Sequence, residues 1–416
     1  MTNKIAYVIG GGTVSHVRTH LALCAPAFGG TARRIAQICR SHDQTMDVRL
    51  HLTKMADSAS HIETSNDLKA LVLEIVDNRR SKIVFFNPAV ADFDGQIGDV
   101  VPGKYTERLR TAEGGRYAID LTPAPKLISL IRNGGEGRSP RKDIFLVGFK
   151  ATAGAEPEDQ YRQGLNMLKA ASANLVLAND VITKLNMIIV PEEAAYHVTT
   201  DRERALRALV EMAYLRSHLT FTRSTIVAGE PVAWESDFVP ASLRAVVDHC
   251  IAQGAYQRFR GVTAGHFAIK IDDTTFLTSR RKTDFNDMKQ VGLVKVKTDG
   301  PDSVIAYGSK PSVGGQSQRI IFTDHPDADC IVHFHCEKKA DSLVPTVSQR
   351  EYECGSHECG RNTSRGLARF NDMLAVYLDQ HGPNIVFNRS IDPQKVIDFI
   401  EANFDLSTKT GGYTVA

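Results

Sequence analysis

The chain of 416 residues lacks the charge excess that would announce a polyanionic partner. Its formal net charge is +2 with histidine neutral. That leaves no electrostatic reason to expect nucleic acid or an anionic membrane. No apolar run is long enough to span a bilayer. Ile5-Ala6-Tyr7-Val8-Ile9 has no small-residue cleavage site behind it, so it reads as a first strand and not as a signal peptide. Cysteine is sparse and odd in number: seven, at positions 24, 39, 250, 330, 336, 354 and 359. Such usage suits a reducing cytoplasm better than a disulfide framework. No CxxC pair occurs, and Cys354 and Cys359, which flank His357, read as thiols at a loop-to-helix junction, with a second metal cluster as the alternative. Low-complexity linkers and internal repeats are missing, as are GxGxxG and GxxxxGK[ST].

What is present is an ordinary globular composition, 42% hydrophobic and 24% charged. The length implies two domains. In the first half, strand-like runs (Ile5–Ile9, Val48–Leu52, Ile83–Phe86, Ile144–Val147, Leu175–Ala178) alternate with helical patterns such as Asp67–Asn78. This rhythm predicts a Rossmann-like α/β domain with a mostly parallel sheet, whose ligands bind outside the carboxyl ends of the strands. Gly10-Gly11-Gly12-Thr13 follows the first strand, and Gly29-Gly30-Thr31 precedes a helix. Both are candidate anion cradles. Asp201–Leu215 reads as the last helix of this domain, and Arg216–Asp237 carries little periodicity. The expected domains are therefore 1–217 and 238–416. In the second, short strands between helices predict an α/β layer with a largely antiparallel sheet.

The chemistry concentrates at the apolar run Cys330-Ile331-Val332, which ends in His333-Phe334-His335. Strand periodicity points both imidazoles to one face, where they can form two legs of a divalent metal site. A second apolar run, Leu374–Leu378, leads into His381-Gly382. Three histidines from two segments leave a coordination position open, which is the catalytic pattern.

Gly11-Gly12-Thr13, Val17-Arg18, Asn87-Pro88-Ala89-Val90-Ala91-Asp92-Phe93, Leu121-Thr122-Pro123, Val147-Gly148-Phe149-Lys150-Ala151-Thr152 and Ala178-Asn179-Asp180-Val181 occur in that order. Together they resemble the phosphopantothenate–cysteine ligase family. The resemblance implies CTP or ATP with Mg²⁺ and an acyl-nucleotide intermediate. It also implies a nucleotide pocket at Gly11, Gly12, Thr13, Gly29, Gly30, Ala89, Asp92, Phe149, Asn179 and Asp180. Arg18 would then hold an anionic substrate group. Leu21–Ala27 replaces that family's Asn-x-Ser-Ser-Gly stretch, and Arg108-Leu109-Arg110 its Lys-Ile-Lys. Arg108 and Arg110 remain candidates for holding phosphate.

Gly261–Lys270, Phe276–Ser279, Lys310-Pro311-Ser312, His325–His335 and Val376–Gly382 resemble the class II aldolase/adducin family. That likeness implies that His333, His335 and His381 hold a divalent metal, zinc first. Ser279, Arg280 and Ser312 would lie in its substrate-binding turns. The family's glutamate base falls on Gly314 by ungapped spacing, or on Gln316 with a gap, and His266 replaces an asparagine. His266 and Gln316 are thus the candidate catalytic positions.

The leading expectation is a cytoplasmic two-domain enzyme working on a small phosphorylated or carboxylated carbonyl compound. Its metal half would run aldolase, epimerase or dehydratase chemistry beside a nucleotide-binding, ligase-like half. It would be a homo-oligomer, dimer or tetramer, with neither nucleic acid nor membrane as partner. The alternatives are a carboxylate–amine ligase with a silent aldolase-like half, and a non-catalytic nucleotide-sensing assembly protein.

Overall fold

A computed structural model of the chain describes residues 4–80, 82–110 and 115–410. The chain forms two compact units. One comprises Met1–Ile189 and His197–Ser217; the other comprises Val190–Tyr196 and His218–Ala416. No described helix is long and apolar enough to cross a membrane.

The first unit contains β1 (Ile5–Gly12), β2 (Val14–Arg18), β3 (Leu21–Cys24), α1 (Gly30–His42), β4 (Asp47–Leu52), α2 (Ser65–Asp77) and β5 (Lys82–Ala89). β6 (Phe93–Gln96), β7 (Asp120–Pro123), α3 (Ile128–Asn133), β8 (Ile144–Thr152), α4 (Pro157–Ala171), β9 (Leu175–Asp180), β10 (Asn186–Ile189), β11 (Ala195–Thr199, whose first two residues fall in the Val190–Tyr196 segment of the other unit) and α5 (Arg202–Ser217) follow. Seven strands form one sheet in the order β11-β10-β9-β8-β5-β1-β4. From β4 to β9 the neighbours are parallel, and β10 pairs antiparallel with β9. The expected mostly parallel sheet is therefore present. Central strands such as β1 are buried along their whole length, as strands covered on both faces must be. The helices bury one stripe each: Ala32, Ile35, Ala36 and Cys39 in α1, and Leu68, Leu71, Val72 and Ile75 in α2. Thr64 and Asp67 close a capping box that starts α2.

Two expectations need correction here. The first strand does not end at Ile9; it runs on through Gly12, because Gly11 and Gly12 pair with Pro88 and Ala89 of β5. The second unit does not begin at 238. Segment 218–237 carries β12 (Arg223–Val227), which pairs in parallel with a strand of the second sheet. Its weak periodicity is that of an exposed edge strand.

The second unit continues with α6 (Ala241–Ala252), the two-residue pair β13 and β14 (Arg258–Phe259, Val262–Thr263), β15 (His266–Lys270), β16 (Thr275–Thr278), α7 (Met288–Val291), β17 (Val294–Thr298) and β18 (Ser303–Tyr307). Next come α8 (Gln316–Asp324), β19 (Cys330–His333), β20 (Glu337–Lys338), β21 (Thr346–Val347), α9 (His357–Gly366), β22 (Ala368–Phe370), β23 (Met373–Leu378), β24 (Gly382–Phe387), α10 (Pro393–Asn403) and β25 (Phe404–Asp405). The sheet runs β12-β18-β17-β16-β15-β19-β24-β23-β21, with β22 also on β23. Antiparallel pairing dominates it. Strand alternation divides β19 between two cores. Cys330, Val332 and Phe334 enter one with Leu243 and Val246 of α6 and Val396 of α10. Ile331 enters the other with Ile321 of α8.

Two glycines let neighbouring turns close onto the end of β19. A Cβ on Gly382 (φ 138°) would stand 2.1 Å from the Phe334 carbonyl oxygen, and one on Gly265 (φ 106°) 2.5 Å from that of His333. Backbone cannot yield at such distances, and both φ values lie where L side chains are strained. Gly30, by contrast, would meet nothing within 4 Å. Gly382→Ala is therefore expected to destabilise the protein by about 2 kcal/mol or more. Gly30→Ala should be neutral or stabilising by up to about 1 kcal/mol. Denaturant unfolding of both variants checks the pair.

Candidate metal centre and the carboxyl edge of the first sheet

β19 is a fully buried strand between β15 and β24. In its register His333 faces His266 on one side and Asn384 on the other. The ring centroids of His266 and His333 are 4.9 Å apart. His335 lies two residues beyond His333, and its ring centroid is 5.0 Å away. His381 comes from the tight β23–β24 turn, where its N–H donates to Leu378 O and Gln380 takes a left-handed φ of 52°. Its ring is 4.7 Å from those of both His333 and His335. All three imidazoles are buried, and they can each offer a ligand nitrogen with all three atoms within 4.8 Å of one another.

The tautomers suit a cation. His333 Nδ1 lies 2.7 Å from the Pro383 carbonyl. A carbonyl only accepts, so Nδ1 carries the proton and Nε2 a lone pair. That lone pair faces His381 Nε2 at 3.2 Å. Tetrahedral zinc with nitrogen bonds of about 2.0–2.1 Å would separate its ligands by about 3.3 Å. The bond to Pro383 is the second-sphere contact that orients a metal-bound imidazole. Burial takes the His333 imidazole down to about 4; the Pro383 bond opposes this and the charge of Lys409 adds to it. Burial likewise holds His266 well below the usual imidazole range, with His333 contributing. His266 Nδ1 is buried without a hydrogen-bond partner. It flanks the triad without joining it.

The other catalytic expectation is corrected. Gln316 begins α8 and is fully buried, and its carboxamide oxygen accepts from Thr222 and Arg319. Its bonding partners include no histidine of the cluster, and an amide cannot take a proton at neutral pH. Ser279 Oγ and Ser312 Oγ are buried and bonded to each other at 3.1 Å. Arg280 donates to Ser309 Oγ and to the Val291 carbonyl, so its guanidinium is turned onto its own chain. Cys354 and Cys359 flank the start of α9, where Ser356 caps the helix. Among the described residues the three histidines are the only metal-capable cluster.

In the first unit, parallel pairing brings Gly11, Gly12, Ala89, Phe149 and Asn179 to one carboxyl edge. Gly29 is the left-handed cap of α1 and Gly30 its open first residue. Several expected ligand contacts are taken by the chain itself. Gly12 N–H donates to Ala27 O, and Thr13 N–H to Ala89 O. The Thr13 hydroxyl accepts from Ala91 N–H. A Cβ on Gly11 would meet Thr53 Oγ1 at 2.2 Å, and one on Gly12 the Ala25 carbonyl at 2.1 Å, so the chain packs closely against both glycines. Arg18 is buried and donates to the carbonyls of Val17, Ile97 and Val100, so it clamps backbone where an anion was expected. Asp180 accepts from Thr152 Oγ1 and from the N–H groups of Ala155, Ile182 and Thr183, and its carboxyl is held well below the usual range by these bonds against the opposing effect of burial. It organises the two loops on either side of it. Asp92 is exposed and paired with Lys126. Arg108 and Arg110 are exposed.

Residues 246–340 match the family described as the Class II Aldolase and Adducin N-terminal domain. The DNA/pantothenate metabolism flavoprotein from Streptococcus pneumoniae is similar over 50% of this chain and 97% of its own, at 19% identity and a TM-score of 0.41. The C-terminal domain of a Coenzyme A biosynthesis bifunctional protein is similar over 52% and 96%, at 14% identity and a TM-score of 0.36. An L-fuculose 1-phosphate aldolase is similar over 39% and 82%, at 15% identity and a TM-score of 0.29. No curated protein matches the chain in sequence. The aldolase-like resemblance carried by the motifs recurs in the family match to residues 246–340.

An imidazole neutral in the fold and protonated in the unfolded chain makes stability rise with pH. For His333 that window lies between about 4 and the ordinary value of 6.5. His266 is shifted in the same direction. Metal-free protein is therefore expected to lose stability as pH falls from 6.5 towards 4, and His266→Asn to flatten that slope. Melting temperature measured across this range checks it.

Proposed function

We propose that the second unit is a divalent-metal enzyme of aldolase, epimerase or dehydratase type, acting on a small phosphorylated or carboxylated carbonyl compound. The observation that carries this reading is the convergence of three buried imidazoles, with His333 Nε2 left unprotonated by its bond to Pro383 and 3.2 Å from His381 Nε2. His333, His335 and His381 would hold the ion, zinc first, and leave it an open position. When bound, such an ion polarises a carbonyl or enediolate oxygen.

His266 supplies the base in this reading. Its Nδ1 is buried, unpartnered and neutral, on the strand paired with the metal-ligand strand. It can accept a proton from carbon beside the bound oxygen and return it. The apolar residues around β19 keep water from competing for the site.

For the first unit we propose CTP or ATP with Mg²⁺ at the amino end of α1. Gly30 is open there, and the backbone N–H groups of the first turn have no partner within the helix. Ligase chemistry is not part of the proposal, since Arg18 and Asp180 are engaged by the chain.

After incubation with zinc, manganese or iron and gel filtration, the chain is expected to retain one ion, and the His333→Ala/His335→Ala double variant none. A folded wild-type chain that retains none of the three metals would sink the reading; elemental analysis decides. Gly30→Asp places a negative charge at the first turn of α1 and should weaken MgCTP or MgATP binding at least about tenfold. Titration calorimetry measures this, and unaltered affinity removes α1 as the nucleotide site.

A further inference from the structure

Away from the histidine cluster, the second unit holds a cavity of about 220 Å³ between the β15–β16 turn, the end of β17 and α8. It shares no lining residue with the three histidines. Lys270 marks the separation: it ends the strand that His266 begins, and four residues of strand span about 13 Å. Phe276, Phe322 and Pro326 give the cavity an apolar wall, with both phenyl rings buried and their centroids 6.2 Å apart. The volume lies below the range of about 300–1,000 Å³ that takes drug-sized ligands, so the cavity suits a ligand smaller than a nucleotide.

Four charges line the same space, and they are not equally satisfied. Lys270 Nζ stands 3.1 Å from Asp273 Oδ1, a pair open to water because the Asp273 side chain is 95% exposed. Asp272 and Arg319 form no ion pair among the described residues, with each other or with any other group. Both are nevertheless fixed in place. Asp272 Oδ1 accepts from the N–H and the hydroxyl of Thr274 at 2.8 and 2.9 Å, and these bonds hold its carboxyl below the usual range. Arg319 donates from Nη1 to the Gly300 carbonyl at 2.7 Å, and from Nη2 to the Pro301 carbonyl and to Gln316 Oε1. Those bonds use three of the five guanidinium N–H groups and leave two. Burial lowers the Arg319 guanidinium from its usual range, with Asp302 opposing, so the unpaired charge is held at a cost in hydration. Opposite charges that line one cavity without reaching each other leave a gap that a ligand carrying both signs can close. A dianion such as phosphate would meet the two acids, and a plain amine the two cations.

We propose that this cavity is a binding site for a free α-amino acid with an apolar side chain. The ligand carboxylate accepts from Arg319, its ammonium donates to Asp272, and its side chain lies against Phe276, Phe322 and Pro326. Gln316 is a positioning residue here, since its carboxamide oxygen holds Arg319 and it does not line the cavity. Nothing in the site depends on a bound metal, so it stands apart from the reading of the histidine centre.

Titration calorimetry of the full chain with leucine tests it. Leucine is expected to bind saturably at one site per chain, and to bind as well after treatment with a chelator. Isocaproate lacks the ammonium and isoamylamine the carboxylate, and each should bind at least about tenfold more weakly than leucine. Asp272→Asn keeps an oxygen for the Thr274 bonds and removes the charge; it should weaken leucine at least about tenfold. Arg319→Gln should do the same, and if that variant does not fold, Arg319→Lys, which keeps the charge without the planar fork, is measured in its place. Isocaproate that binds as tightly as leucine, a folded Asp272→Asn that binds leucine like the wild type, or leucine that binds only metal-loaded protein overturns the inference. So does a wild-type chain that binds none of leucine, valine, methionine and phenylalanine more tightly than about 10 mM.

Discussion

The histidine cluster depends on β19 being hydrogen-bonded on both edges and buried on both faces. Pairing with β15 and β24 fixes its register, so that His333 must face His266 and Asn384. A one-residue slip would turn His333 into the core occupied by Val332 and Phe334. Burial on both faces removes water, and the imidazoles of His266 and His333 stay neutral for that reason. Neutral nitrogens with lone pairs in a dry site are what a divalent ion requires. The turns that carry His381 and His266 close on the same strand through Gly382 and Gly265, where any side chain would strike the β19 backbone or its continuation.

The two units use their polar residues differently. In the second, buried His333 and His381 keep their Nε2 atoms 3.2 Å apart. In the first, the polar groups at the carboxyl edge of the sheet are largely absorbed by the chain. Arg18 gathers carbonyls of Val17, Ile97 and Val100, and Asp180 gathers N–H groups from the loops on either side of it. Buried backbone groups need partners as urgently as ligands do. A residue type that suits a phosphate or nucleotide suits an orphaned backbone group equally well. The end of α1 around Gly30 is where this edge stays open.

Much of the fold was legible because it rests on periodicity. Apolar runs placed β1, β4, β5, β8 and β9 in a mostly parallel sheet, and the helical stripe placed α2 and α5. The three histidines were legible because period-two spacing and a histidine–glycine turn are chemically specific. The partners that Arg18, Thr13, Asp180 and Gln316 find within the chain were not legible, since a side chain's partner depends on what the fold brings to it. The weak pattern of 218–237 concealed an edge strand, because such a strand buries too little to show alternation.

The sequence by itself determined the two-unit architecture, the placement of most strands and helices, and the identity of three histidines able to meet on one face. These follow from short-range patterns, and pattern is local. Only the tertiary structure decided that His266 stands unpartnered beside them, and that Val190–Tyr196 belongs with the second unit. It alone brought Asp272 and Arg319 to one cavity. Three strands, β16, β17 and β18, separate Asp272 from Arg319 in sequence. No local pattern records an encounter that depends on the folding of everything between them.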